Sequence, residues 1–288
     1  LYPMCYSGKT DPRGFLLGRD KYGSNVIIDF DRRTGGRTNS SVLILGNSGQ
    51  GKSYLLKLIL CNLREAGLNV ICLDPEMEYE DLTNNLGGCF IDLMGGRFLI
   101  NPLEPKVWDE GEGLEDPDAP ETFRIRSRLS QHISFLKDFF RSYKDFTDRE
   151  IDVIEIMVQR LYARCGLTDE TDFQMLGSKD YPTLSELYGL IEAEYKGFDS
   201  GERQLYTAEL LQNILLGLHS MCRGPEAKFF NGHTNITDSS FVTFGVKGVL
   251  QASRNLRDAL LFNTLSFMSN RLLTVGNTVA ALDELYIW

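Results

Sequence analysis

Gly46-Asn47-Ser48-Gly49-Gln50-Gly51-Lys52-Ser53 follows the P-loop spacing of Gly, any four residues, then Gly-Lys-Ser, and each residue type there suits the holding of a phosphate chain. Gly46, Gly49 and Gly51 can adopt backbone angles closed to other residues, which lets successive amide N–H groups turn inward around an anion. The helix that follows, from Tyr54, brings the positive end of its dipole to the same point. Lys52 is then placed to reach the β and γ phosphates of ATP, and the Ser53 hydroxyl to ligate Mg2+. Far along the chain, the apolar run Thr278–Leu282 leads into Asp283-Glu284. An acid pair leaving a buried strand can supply the other half of such chemistry: Asp283 supports the magnesium and Glu284 deprotonates the attacking water.

Those residues need elements to hold them. Val42-Leu43-Ile44-Leu45 predicts a buried strand ahead of the loop, and Tyr54 to about Ala66 a helix whose apolar face is Leu55, Leu56, Ile59, Leu60 and Leu63. Gly67 supplies its stop. Gly8-Lys9-Thr10, which has Pro3 where the first glycine should stand, is read as an ordinary loop. Asn69–Asp74 is a second apolar run ending on an acid, and strand, helix and strand in that order imply a parallel sheet covered on both faces. Ligands in such sheets sit at the carboxyl ends of strands, which places Asp74 in the same crevice as Lys52. Asp74-Pro75-Glu76-Met77-Glu78-Tyr79 is accordingly an acidic loop beside the nucleotide, with Asp74 and Glu78 supporting its ligands. The alternative is a capped strand exit that touches no ligand.

The remaining chain reads as follows. Gly14–Gly18 and Asn25–Phe30 are short strands bounded by Tyr22-Gly23-Ser24 and Thr34-Gly35-Gly36. Cys89–Met94 and Arg97–Ile100 flank Gly95-Gly96 and predict a hairpin; Asn101-Pro102-Leu103 leaves it for an acidic stretch, Asp109–Glu121, read as a solvated boundary. Four helices follow: Arg126–Arg141, Thr147–Cys165, one opening at Thr183, and about Gln204–Met221. Thr147 with Glu150 and Thr183 with Glu186 have capping-box spacing, and Leu205, Leu210, Leu211, Ile214, Leu215 and Leu218 form the apolar stripe of the fourth. Phe241–Val246 is a strand and Arg254–Leu273 a helix. The expected domains are a β segment at 1–40, an α/β core at 41–110 and 226–288, and an all-helical insertion at 111–225.

Composition bounds the function. The 288 residues are 42% hydrophobic, enough for a sizeable core, and hold no apolar run of the roughly 18 residues that span a bilayer. The net charge of −10 argues against a broad nucleic-acid surface. Cys5, Cys61, Cys72, Cys89, Cys165 and Cys222 are scattered and read as reduced core thiols; His132, His219 and His233 are equally dispersed and suggest no zinc site. A guanine-binding Asn-Lys-x-Asp motif is absent, Ser178-Lys179-Asp180 being the nearest stretch.

With these motifs assembled, the sequence resembles the conjugation and type IV secretion ATPases of the VirB-four or TraC kind, in the FtsK and HerA group of RecA-like motors. The carriers are the glycine loop 46–53, the Asp74 to Glu78-Tyr79 loop, Asn101-Pro102-Leu103, the helical insertion and Leu282-Asp283-Glu284. The resemblance implies a RecA-like ATPase working as a homo-oligomer, often a hexamer, in the cytoplasm at the inner face of the cell membrane. It implies inner-membrane and channel subunits as partners, with DNA or a relaxosome coupling protein possible but not indicated by charge. By the same analogy a strand bearing a polar sensor, commonly glutamine, lies between the P-loop strand and the Asp-Glu strand; the chain stops at Trp288 without it, so a fragment of a longer protein is expected, with unpaired backbone in mid-sheet. Arg124, Arg126 and Arg128 are arginine-finger candidates on charge alone. Two other functions fit the same motifs: a DNA-translocating FtsK- or HerA-like pump, and an ATP-binding channel scaffold with little turnover.

Overall fold

A computed structural model describes residues 11–30, 32, 40–108, 128–198 and 205–284. Cys5, the loop at Gly8-Lys9-Thr10, the turn at Thr34-Gly35-Gly36, the acidic stretch 109–121, Arg124 and Arg126 lie outside the described residues. The chain divides between Val70 and Ile71 into two compact units.

In the first unit, β1 (Phe15–Arg19) and β2 (Asn25–Ile28) form an antiparallel pair with Phe15 opposite Ile28 and Arg19 opposite Asn25. The Asp20 carboxylate closes the turn between them, accepting from the amides of Tyr22 at 2.8 Å and Ser24 at 2.9 Å. Helix α1 (Lys52–Glu65) buries Ile59, Leu60 and Leu63, and ends where Gly67 turns to φ 94°. There Gly67 N–H donates to Arg64 O and Leu68 N–H to Leu63 O, both at 3.0 Å, satisfying carbonyls of the last turn. One expectation fails in this unit. Residues 42–45 form no strand; Val42, Leu43 and Leu45 are 49, 68 and 82% exposed. An extended segment becomes a strand only through a ladder, and none of the described residues pairs with this one.

The second unit is built on a four-stranded parallel sheet. In chain order its elements are β3 (Asn69–Asp74), α2 (Glu80–Asn85), β4 (Cys89–Asp92), α3 (Arg128–Tyr143), α4 (Asp148–Arg164), α5 (Leu184–Lys196) and α6 (Ala208–Cys222). There follow α7 (Ala227–Phe230), β5 (Phe241–Gly245), α8 (Lys247–Leu250), α9 (Arg254–Val275) and β6 (Thr278–Leu282). The strand order is β4-β5-β3-β6, and the two central strands are the two most deeply buried. Ile71, Cys72 and Leu73 of β3 and Phe241, Val242 and Phe244 of β5 are fully buried, as befits strands covered on both faces.

The hairpin expected around Gly95-Gly96 is absent. Residues 89–92 pair in parallel with β5, Cys89 opposite Val242 and Asp92 opposite Gly245, and 97–100 form no strand. The backbone of 97–101 is instead satisfied by a neighbouring loop: Leu99 N–H donates to Asn235 Oδ1 at 2.7 Å, Asn101 N–H to Thr234 Oγ1 at 3.0 Å, and Asn235 Nδ2 to Arg97 O at 2.9 Å. A glycine pair suits a tight reversal, but these competing acceptors and donors decide the pairing.

Helices α3 to α6 pack successively, and α3 also lies against α9. The Glu150 carboxylate accepts the Thr147 amide at 2.7 Å while Thr147 Oγ1 accepts the Glu150 amide, the reciprocal cap expected; Glu186 accepts from both the amide and the hydroxyl of Thr183. Leu205 precedes α6 and is 88% exposed, so it does not belong to the helix's apolar stripe, which is carried by Leu211, Ile214, Leu215 and Leu218. Cys165 is likewise exposed rather than in the core, because it follows the last residue of α4.

Asn101, Lys106 and His132 form a buried polar belt between the sheet and these helices. Asn101 Nδ2 donates to Pro182 O at 2.9 Å, and Lys106 Nζ donates to Asn263 Oδ1 at 3.0 Å and Ser266 Oγ at 2.8 Å on α9. His132 Nδ1 accepts the Lys106 amide, so Nε2 carries the proton and donates to Pro102 O at 2.9 Å. Burial pushes the imidazole well below its ordinary range and the Lys106 ammonium down from 10.5 to about 7, the latter partly opposed by Glu104. Between those two pH values the unfolded chain binds the extra proton, so Lys106 makes stability rise with pH, by up to about 1.4 kcal/mol per unit. Lys106→Met should flatten this slope between about pH 7 and 8, where an unfolded cysteine, with its ordinary pKa of about 8.5, is still mostly protonated, in denaturant unfolding over a pH series. A second variant tests the packing of β5 on α2. A Cβ added at Gly88 would stand 2.5 Å from Phe241 O and 2.8 Å from Thr83 Cγ2; Gly88→Ala should lower stability by about 1–3 kcal/mol through overpacking, read from the unfolding midpoint.

Candidate functional site

The glycine loop opens α1. Gly49 and Gly51 have φ of 76° and 83°, the left-handed region that other residues enter at a cost. Gly51 offers α1 no side-chain cap and its first turn carries no acid, so neither competes with an anion for the helix start. A Cβ on Gly46 would stand 3.4 Å from Lys52 Cγ, so the bare glycine leaves room for the lysine stem. Lys52 Nζ donates to Asn47 O at 3.3 Å, folding the side chain over its own loop. Asn47, Ser48 and Gln50 are exposed, Ser53 is half-buried, and Tyr54 is 75% exposed. These residues fit a phosphate group: positive-φ glycines, an uncapped helix start and a mobile ammonium are the donors such a ligand needs.

The acidic residues lie in the second unit, at the carboxyl ends of β3 and β6. Asp74 is wholly buried, and its carboxylate accepts the amides of Tyr79 at 2.9 Å and Glu76 at 3.2 Å. Burial raises its pKa, while the amides of the turn oppose that rise. The turn is tight enough to put Met77 at φ 59°, and Lys247 Nζ meets Glu76 Oε2 at 3.3 Å on its outer side. Glu78 is exposed in the same turn. Asp74 thus caps the exit of β3.

Asp283 follows β6 directly. Its amide donates to Leu73 O at 3.3 Å, its Oδ1 accepts the Glu284 amide at 2.9 Å, and its Oδ2 accepts the Tyr79 hydroxyl at 3.0 Å. Glu284 has φ 48°, a left-handed angle unusual for a residue with a side chain. Together the two acids present one oriented carboxylate and one adjacent half-buried one, a donor set that suits a hydrated magnesium ion and an activated water. Tyr79 is the neighbour of Asp283 that sequence reasoning missed: the loop motif contains it, but only the fold brings residues 79 and 283 together.

Arg128, one of three finger candidates, is occupied otherwise. Its Nε and Nη2 donate to Pro105 O at 3.1 and 2.6 Å, and its guanidinium lies 4.6 Å from the Phe173 ring centroid. Among the described residues no cluster of His, Cys, Asp and Glu could hold a metal by itself, and no helix is long and apolar enough to cross a membrane.

Comparison with known proteins agrees with these motifs. The family described as the central domain of the helicase HerA matches residues 21–161. The solved structure of VirB4 of Thermoanaerobacter pseudethanolicus superposes with a TM-score of 0.81 at 31% identity, covering 98% of this chain and 70% of that one. An uncharacterised protein of Bacillus anthracis is 25% identical over 98% of this chain and 45% of its own length. TraC of Escherichia coli strain K12 is 26% identical over 45% of this chain and 14% of its own length. The chain thus spans less than half of either curated relative. The α/β architecture is of the RecA-like class.

The cap at Asp74 can be tested directly. Asp74→Asn keeps the volume but replaces one acceptor oxygen by a donor facing backbone N–H groups. It should cost about 1–3 kcal/mol in denaturant unfolding and speed hydrogen exchange of the Tyr79 amide.

Proposed function

The chain belongs to the VirB4 family, and from that premise we propose that it is an ATP-hydrolysing motor that energises a type IV secretion or conjugative transfer system. The observation that carries this reading is the held acid pair: Asp283 fixed at both carboxylate oxygens at the end of β6, with Glu284 next to it. In this reading Lys52 and the amides of residues 46–53 bind the phosphates of ATP. Ser53 and Asp283 hold magnesium, which when bound neutralises charge on the β and γ phosphates. Glu284 accepts a proton from the attacking water, and Asp74 orders the turn behind that pair.

The motor acts as a homo-oligomer, a hexamer by analogy, at the cytoplasmic face of the inner membrane and in contact with channel subunits. Residues 111–225 are its partner- or substrate-facing lobe. A DNA-translocating pump is the second reading, and the net charge of −10 counts against it. DNA-stimulated turnover with steep salt dependence would select it.

In the full chain, Glu284→Gln should retain ATP binding and lose hydrolysis by about 10²–10⁴-fold, the usual contribution of a general base. Nucleotide binding measured by fluorescence and phosphate release measured separately make the check. An unchanged hydrolysis rate removes Glu284 from the role of base.

A further inference from the structure

We infer that Tyr79 is a positioning residue for the metal-binding carboxylate of Asp283, an inference that rests on the reading of Asp283 proposed above. Its ring is fully buried and both its ends are fixed. The amide donates to the buried Asp74 carboxylate at 2.9 Å, and the hydroxyl donates to Asp283 Oδ2 at 3.0 Å. Behind it, Thr83 Oγ1 donates to Tyr79 O at 2.7 Å and lies 2.7 Å from Thr243 Oγ1 on β5. The tyrosine is thereby tied to the central strands β3 and β5 before it reaches the acid.

Asp283 needs such a tie. Strand β6 is at the edge of the described sheet, with β3 as its ladder neighbour there, and Asp283 lies one residue beyond its end. An amide bond of 3.3 Å to Leu73 O joins its backbone to β3. The Tyr79 hydroxyl on Oδ2 and the Glu284 amide on Oδ1 hold both oxygens of the carboxylate. Groups that orient a metal-binding carboxylate in this way set its affinity without touching the metal.

Tyr79→Phe removes one hydroxyl and keeps the ring. The probe is Mn2+ added with a non-hydrolysable ATP analogue, followed by electron paramagnetic resonance, beside turnover with Mg2+. Tyr79→Phe should raise the half-saturating metal concentration and lower kcat by about 10–100-fold, as loss of an orienting partner does. Metal-free analogue binding and the KM for ATP should stay within about two-fold, because uniform substrate binding is untouched. Asp283→Asn is the reference. If it weakens the metal and Tyr79→Phe does not, the tyrosine inference fails alone; if neither does, the reading of Asp283 fails with it. Should Tyr79→Phe not fold, a fluorotyrosine placed at Tyr79 keeps the hydroxyl and gives a fluorine resonance. That resonance should move when metal and analogue are added, and its constancy overturns the inference.

Discussion

A carboxylate taken out of water must be met by donors, and Asp74 meets that requirement by folding residues 76–79 back over itself. The amides it collects fix the course of the turn, and the turn delivers Tyr79 into the core at the one place from which its hydroxyl reaches Asp283. The strain is visible where the chain tightens most, at Met77 with its left-handed backbone. Removing the acid from the end of β3 would therefore disturb the end of β6, although the two residues make no direct bond in the hydrogen-bond pattern described. The local cost of burying one charge is offset by the order it imposes on a neighbouring strand exit.

A second buried polar group joins the helices to the sheet. Lys106 spans from the segment after Asn101-Pro102-Leu103 to Asn263 and Ser266 of α9, with its ammonium 4.4 Å from the Phe135 ring centroid on α3. Around it Trp108, Phe135 and Phe262 stack at 4.9 and 5.2 Å between centroids. An apolar residue could fill this space, but it would leave Asn263 Oδ1 and the Ser266 hydroxyl each short of a partner. The belt thus specifies how α3 and α9 meet, and α9 is the element that leads into β6.

Elements with a strong local period were legible in the sequence: α1, α4, α6 and α9, together with the apolar strands β3, β5 and β6, begin and end close to where spacing and caps place them, and α5 opens at its expected cap. The segments that went astray depend on partners remote in sequence. Val42–Leu45 has strand composition, but composition does not supply a ladder. Residues 97–100 flank a glycine pair, yet Thr234 and Asn235, more than a hundred positions on, claim their backbone groups. At the site, the glycine loop and the Asp-Glu pair announced themselves by residue type at fixed spacing, and Leu282 into Asp283 marked the strand end. The role of Tyr79 was hidden because a buried tyrosine after an acidic loop reads as packing. Only the register of β6 beside β3 turns its hydroxyl into a partner of Asp283.

Helix α9 has 22 residues, roughly 33 Å at 1.5 Å per residue, and it joins β6 through Gly276 and Asn277, both at positive φ. A continuous helix of that length resists bending far more than the two-residue elbow at its end. A push delivered to its flank, where α3 rests, is passed along the rod as a lever passes it and concentrated at the elbow. The acids stand at the opposite end of β6 from that joint, so a load borne by the helices reaches them only through the length of the strand.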